Sequence, residues 1–131
     1  MIKKLLYVGL LVLATIVVLV LFLCPTSAQD VVANTIEQVK AGHTAELELP
    51  TEHLDKIRSI YQFAETNQLS VPKVSLQETA RTEEQVQVVA FYEMLEYGEN
   101  NQVKKAHTES LIFTLQKIGW RSWKIAEVEK Q

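Results

Sequence analysis

The chain has 131 residues, of which 47 % are hydrophobic and only one is a cysteine. That is enough for one small domain, with no internal disulfide to staple it and no Asn-x-Ser/Thr glycosylation site. All sixteen acidic residues follow Ala28 and two of the thirteen basic ones precede it, leaving eleven basic against sixteen acidic residues and a net charge of −5 after Ala28. This balance argues against a dedicated nucleic-acid binder, which needs a basic face to displace counterions from phosphates.

Lys3 and Lys4 precede an uncharged run from Leu5 to Cys24. As a helix these residues rise about 30 Å, the thickness of a bilayer's hydrocarbon core. Lysines held on the cytoplasmic side place everything after Cys24 outside the cytoplasm. Three fates compete for Cys24. Lipidation asks for a small residue before the cysteine, whereas Leu23 stands there and Pro25 follows. Signal-peptide cleavage suits Thr26-Ser27-Ala28 but not the length of the apolar run, since ordinary signal cores span about 7 to 15 residues. Retention as a single-pass anchor through residues 5–24 suits the length. The expected organisation is an anchor or signal segment over 1–28 and an extracytoplasmic domain over 29–131, either tethered to the membrane or released after Ala28.

Asp30 is the expected N-cap of a helix over Val31 to Ala41, with Val32, Ile36 and Val39 on one face and Gly42 past its end. A second helix fits Glu52 to Thr66, capped by Thr51, with a stripe of Leu54, Ile57, Tyr61 and Ala64 that Ile60 and Phe63 widen. From Val71 the period becomes two. Val74 and Leu76 alternate with polar residues after Pro72, as in an edge strand. Gln85 to Tyr97 reads as a central strand with Val86, Val88, Ala90, Tyr92 and Met94 on one face and Val89, Phe91 and Leu95 on the other. A turn at Gly98 to Asn101 leads to a long strand with Leu111, Phe113 and Leu115 on one side. A last hairpin near Gly119 returns through "WRSWKIAEVE", where Trp123 and Ile125 share a face. Helices followed by an antiparallel meander of about four strands make an α+β fold.

The end "LIFTLQKIGWRSWKIAEVEK", after a strand of alternating valines and aromatics, resembles the C-terminal half of nuclear-transport-factor-2-like domains over residues 70–130. The resemblance implies a curved sheet wrapped around N-terminal helices as a cone. It also implies a range of roles: small-molecule isomerases and dehydratases, non-catalytic binding modules, and membrane-anchored scaffold domains of secretion and conjugation machines. The site must choose among them.

Few residues offer chemistry. His53, Asp55, Tyr61, Tyr92, Glu93 and His107 are the titratable candidates for a general acid or base, and Tyr61, Tyr92, His107 and Trp123 are the candidate lining of a cavity. Each has a plainer role: Asp55 solvated at a helix start, the tyrosines in core stripes, and His107 at a solvated strand end beside Lys105 and Glu109. No residue is assigned as catalytic and no cofactor is implied. His43, His53 and His107 lack metal-ligand spacing, the four glycines are scattered, and no Gly-x-Ser-x-Gly elbow occurs. Lys104 and Lys105 read as a solvated hairpin tip. Val89, Phe91 and Leu95 need a cover that two short helices cannot give on both faces. Either a second copy or another protein pairs with this outer face, or residues 43–50 fold over it with Leu47 and Leu49. The leading expectation is a membrane-tethered, non-enzymatic extracytoplasmic domain acting through protein contacts or a small apolar ligand. The alternatives are a secreted isomerase- or dehydratase-like enzyme and an assembly subunit of a secretion or conjugation apparatus.

Overall fold

A computed structural model describes residues 2–23, 27–119 and 122–131. The expectations attached to Cys24 therefore lie outside the described residues. The first helix, α1 (Ile2–Leu23), is long and apolar enough to cross a membrane or to serve as a signal sequence, and Ile2–Val20 is wholly exposed, packed against nothing in the domain.

The second helix, α2 (Ala28–Ala41), starts earlier than the sequence pattern suggests. Its N-cap is Ser27, whose hydroxyl accepts the Asp30 N–H at 3.1 Å and whose carbonyl accepts the Val31 N–H at 3.2 Å. Asp30 is thus inside the first turn, where its carboxylate faces the positive end of the helix. Ala28 is buried, so the 28/29 boundary falls within this helix. At the far end Gly42 takes φ +81°, a conformation that costs glycine nothing, and the Gly42 and His43 N–H groups donate to the Val39 and Gln38 carbonyls.

Helix α3 (Thr51–Thr66) is entered through Pro50, not capped by the Thr51 side chain. The Pro50 carbonyl accepts from His53 and Leu54, and the ring presets the entry angle. Leu54, Ile57, Ile60 and Ala64 are buried and Tyr61 is half-buried. Phe63 departs from the expected stripe: it lies about 120° round the helix from Ile57 and is 41 % exposed.

Four strands follow as an antiparallel meander in the order β1 (Lys73–Arg81), β2 (Gln85–Tyr97), β3 (Val103–Ile118), β4 (Ser122–Lys130). The fold is α+β, as the patterning implies. Pro72 has no N–H, and Ser70 completes the pairing opposite Leu95: its N–H donates to the Leu95 carbonyl at 2.9 Å and its hydroxyl accepts the Leu95 N–H at 2.8 Å. Three strands each carry one residue that pairs with nothing opposite. Thr79 is passed over between Glu78 and Ala80, Lys104 between Lys105 and Val103, and Ala126 between Glu127 and Ile125. Such bulges bend and twist a strand. The sheet curls until α2 packs against β1, β2 and β4 together, and Arg81 of one edge strand reaches over Trp123 of the other at 5.4 Å.

The concave face holds the core. Val86, Val88, Ala90, Tyr92 and Met94 of β2 meet Leu111, Phe113 and Leu115 of β3, while the Ala126 bulge lets both Ile125 and Val128 of β4 face inward. Both helices cover this face. Lys56 of α3 pins the arrangement by donating to the Val128 carbonyl on the β4 edge at 2.9 Å.

Candidate functional site

Tyr61 from α3 and Tyr92 from β2 meet edge to face, ring centres 6.0 Å apart and planes at 90°. α3 packs against α2 and β4 on the concave side of the sheet, and Tyr61 reaches from it to Tyr92 of β2. Tyr92 is 1 % exposed, and its hydroxyl has no hydrogen-bond partner among the described residues. Burial pushes its pKa up, and Tyr61 adds to the effect. Burial, with a smaller contribution from the Glu37 carboxylate, pushes Tyr61 up to about 12. Both phenols stay neutral near pH 7, and neither has the lowered pKa that would make it an effective proton donor there.

The other two residues of the expected cavity lie elsewhere. His107 is half-buried opposite Met94 on β3, with its Nε2 3.3 Å from Glu96 Oε2 and its ring 5.9 Å from that of Phe63. Trp123 lies opposite Lys117. Ten residues of strand separate Lys117 from His107, about 30 Å, so the curled sheet does not gather all four residues around one cavity. His53 is half-buried in the first turn of α3, Asp55 is exposed with its carboxylate 3.6 Å from Arg58, and Glu93 is exposed opposite Lys73 and Thr108. No group of three or more His, Cys, Asp or Glu residues that could hold a metal ion occurs among the described residues.

Trp123 belongs to an open cleft of about 1180 Å³ between the two hairpin turns at one end of the sheet, lined in part by Thr82, Gln85, Gln116 and Lys117. The Thr79 bulge turns Arg81 onto the same face as Glu78. The two side chains form a doubly hydrogen-bonded ion pair beside the Trp123 ring. That hydrogen bonding holds the Glu78 carboxyl below its ordinary range and raises the Arg81 guanidinium. A guanidinium already paired and stacked has little left to offer an anionic ligand.

The convex face is different. Val89 is nearly covered by its neighbours, Phe91 is 42 % exposed, and Leu95 is half-buried. Register adds residues that sequence alone left unassigned: Ile112 opposite Val89, Ala106 opposite Leu95, and exposed Val103 opposite exposed Tyr97. Their signal was available once β3 was paired with β2, because partners share a face. Together they form an apolar stripe along the β2–β3 pair, interrupted by Glu93 and Thr108, with a shallow dip of about 330 Å³ beside Phe91. Leu47 and Leu49 do not cover it. They pack against the helix-covered core, with Arg58 donating to the Thr44 hydroxyl at 2.9 Å to hold their loop.

No family model, curated protein or solved structure matches this chain.

Proposed function

We propose that this protein is a membrane-tethered, non-catalytic domain facing away from the cytoplasm, which works by protein contact through the convex face of its sheet. The observation that carries the reading is the contrast between a concave face filled by Tyr92, Phe113, Met94 and Ile57 and a convex stripe on which Phe91, Tyr97 and Val103 are left to solvent. Isolated exposed apolar residues are ordinary on soluble domains, but a row along two central strands, broken at Glu93 and Thr108, is the pattern of an interaction surface. The partner is a second copy or another protein.

Retention of α1 as an anchor is supported by the start of α2. Cleavage after Ala28 would remove Ser27, which caps the helix, and Ala28, which is 1 % exposed within the core. The released domain would lack both the cap and that core residue. Lys3 and Lys4 place the domain outside the cytoplasm on this reading. Helices first, then a curled antiparallel meander closed by a Gly119 to Trp123 hairpin, is also the order of elements in nuclear-transport-factor-2-like domains, and we extend the reading to that superfamily.

The test is the intact mass of the protein recovered from membrane and soluble fractions of cells expressing the whole gene, followed by cross-linking of a Phe91→Asp variant. A full-length mass in the membrane and a cross-linked complex lost in the still-folded variant are the expected results. A soluble species beginning at Gln29 would overturn the tether, and an undiminished complex would overturn the convex face as the contact.

A further inference from the structure

β4 stops pairing well before β3 does. Its last partner is Leu111, opposite Lys130, and beyond it the Gln131 N–H donates to the Ser110 carbonyl at 3.1 Å. β2 goes on pairing with β3 as far as Val103. From Lys105 to Glu109, β3 is therefore an edge strand, although it is central over the rest of its length.

Alternation says which backbone groups this edge offers. Every second residue of an antiparallel strand turns both its N–H and its carbonyl to the same neighbour. The Ser110 carbonyl faces the β4 side, so Thr108 and Ala106 do as well. Leu95, opposite Ala106, agrees: its own N–H and carbonyl are engaged by Ser70 on the far side of β2. Ala106 and Thr108 are exposed, and no described residue bonds to the groups that they turn outward.

An open edge is a template for any extended chain, and its side chains decide which one fits. Lys105, His107 and Glu109 alternate on the inner side, opposite Glu96, Met94 and Tyr92. Neither Lys105 nor Glu109 takes part in an ion pair among the described residues. A strand laid antiparallel here and centred on His107 meets Glu109 two residues before that centre and Lys105 two residues after it. Charge matching asks it for a basic residue and then an acidic one. Lys105-Ala106-His107-Thr108-Glu109 has that order itself. Turned end for end about His107, a second copy sets Lys105 against Glu109 at both ends and Ala106 against Thr108 between, where the free N–H and carbonyl groups pair. The Lys104 bulge breaks the regular backbone where a longer pairing would meet Gln131 of the second copy.

We propose that two copies of this chain pair edge to edge through Lys105 to Glu109 of β3, joining their sheets into one. The twofold axis runs through the sheet without turning it over, so both convex stripes lie on the same side of the joined sheet. Five paired residues span about 17 Å, less than a standard interface. The pairing therefore works between copies that their anchors concentrate in one membrane, and it rests on the tethered reading above.

The axis offers a direct test, because His107 faces its own copy as a non-hydrogen-bonded pair with Cα atoms about 4.5 Å apart, within reach of a disulfide. Full-length protein carrying Cys24→Ser and His107→Cys, its mass verified, is oxidised in membranes with copper phenanthroline. A disulfide-linked dimer is expected, and much less of one when Gln87→Cys replaces His107→Cys. Ala106→Pro removes an outward N–H, which an edge strand tolerates, and should abolish the dimer without changing the circular dichroism. Lys105→Glu should lower the cross-linked fraction about fivefold. Adding Glu109→Lys to it should restore the dimer, which a merely unfolded variant would not do. Phe91→Asp should leave the cross-link intact. Absence of the dimer in anchored protein, equal cross-linking at Gln87→Cys, no recovery in the charge swap, or a loss in Phe91→Asp as complete as in Ala106→Pro overturns the edge pairing and leaves the tether standing. Cellular protein that begins at Gln29 overturns the tether and the pairing with it.

Discussion

The two faces of the β2–β3 pair are built from alternate residues of the same strands, yet they have opposite fates. Inward, Val88, Ala90, Tyr92 and Met94 are shielded from water; outward, Phe91 is 42 % exposed and Tyr97 49 %. Apolar content did not decide which face was covered. Curvature did, because curling reduces the area of the concave side until two helices of 14 and 16 residues can fill it, while the convex side spreads and stays open.

The contrast can be broken most severely at two phenylalanines. Phe113→Ala on the inner face should cost about 3 to 5 kcal/mol in denaturant unfolding, whereas Phe91→Ala on the outer face should stay within about 0.5 kcal/mol for the isolated protein. A comparable loss at both positions would mean that the convex face is also core. Next in size is the start of α2. A domain beginning at Gln29 should melt below one beginning at Pro25, with loss of the Ser27 cap alone worth about 0.5 to 2 kcal/mol.

A gain is expected at Tyr92. Its hydroxyl is buried without a partner among the described residues, so Tyr92→Phe should be as stable as the parent or more stable by about 1 kcal/mol. A loss above that size would reveal a hydroxyl that does structural or chemical work. The smallest effect is alkaline. Tyr61 titrates at about 12 in the folded chain against 10.0 for the free phenol. Between those values the unfolded chain gives up a proton that the folded one keeps, so stability contributed by the neutral phenol is intact below pH 10 and is lost as pH rises toward 12. Tyr61→Phe should reduce that fall and remove the component of tyrosinate absorbance near pH 12, leaving the later one of Tyr92.

The sequence was most legible where every second residue reports its own side. Gln85 to Tyr97 could be bounded and both of its faces assigned because burial follows alternation in a strand without a bulge of its own. The Ser27 cap was obscured by its place beside the apolar segment, where the same small residues fit a cleavage site, although Ser27 and Asp30 stand three apart as a capping pair does. Beyond the bulges, parity fails. Thr79 and Ala126 are ordinary residues, and nothing about them announces that Arg81 will join the face of Glu78 or that Val128 will join Ile125. The tyrosine pair was legible as two core stripes but not as a contact. The separation of His107 from Trp123 follows from the Gly119 turn, which fixes Trp123 opposite Lys117.

The bulges also separate two properties that strands ordinarily confound. Deleting Ala126 would leave Ile125, Glu127 and Val128 in regular in-out-in order, and deleting Thr79 would do the same for Glu78, Ala80 and Arg81. Neither change moves a side chain to the wrong face; each only straightens its strand. The shape of this domain is thus written in chain length, and its core in side-chain chemistry. A homologue shortened by one residue at either place would keep its hydrophobic pattern intact while opening the concavity that its helices must fill.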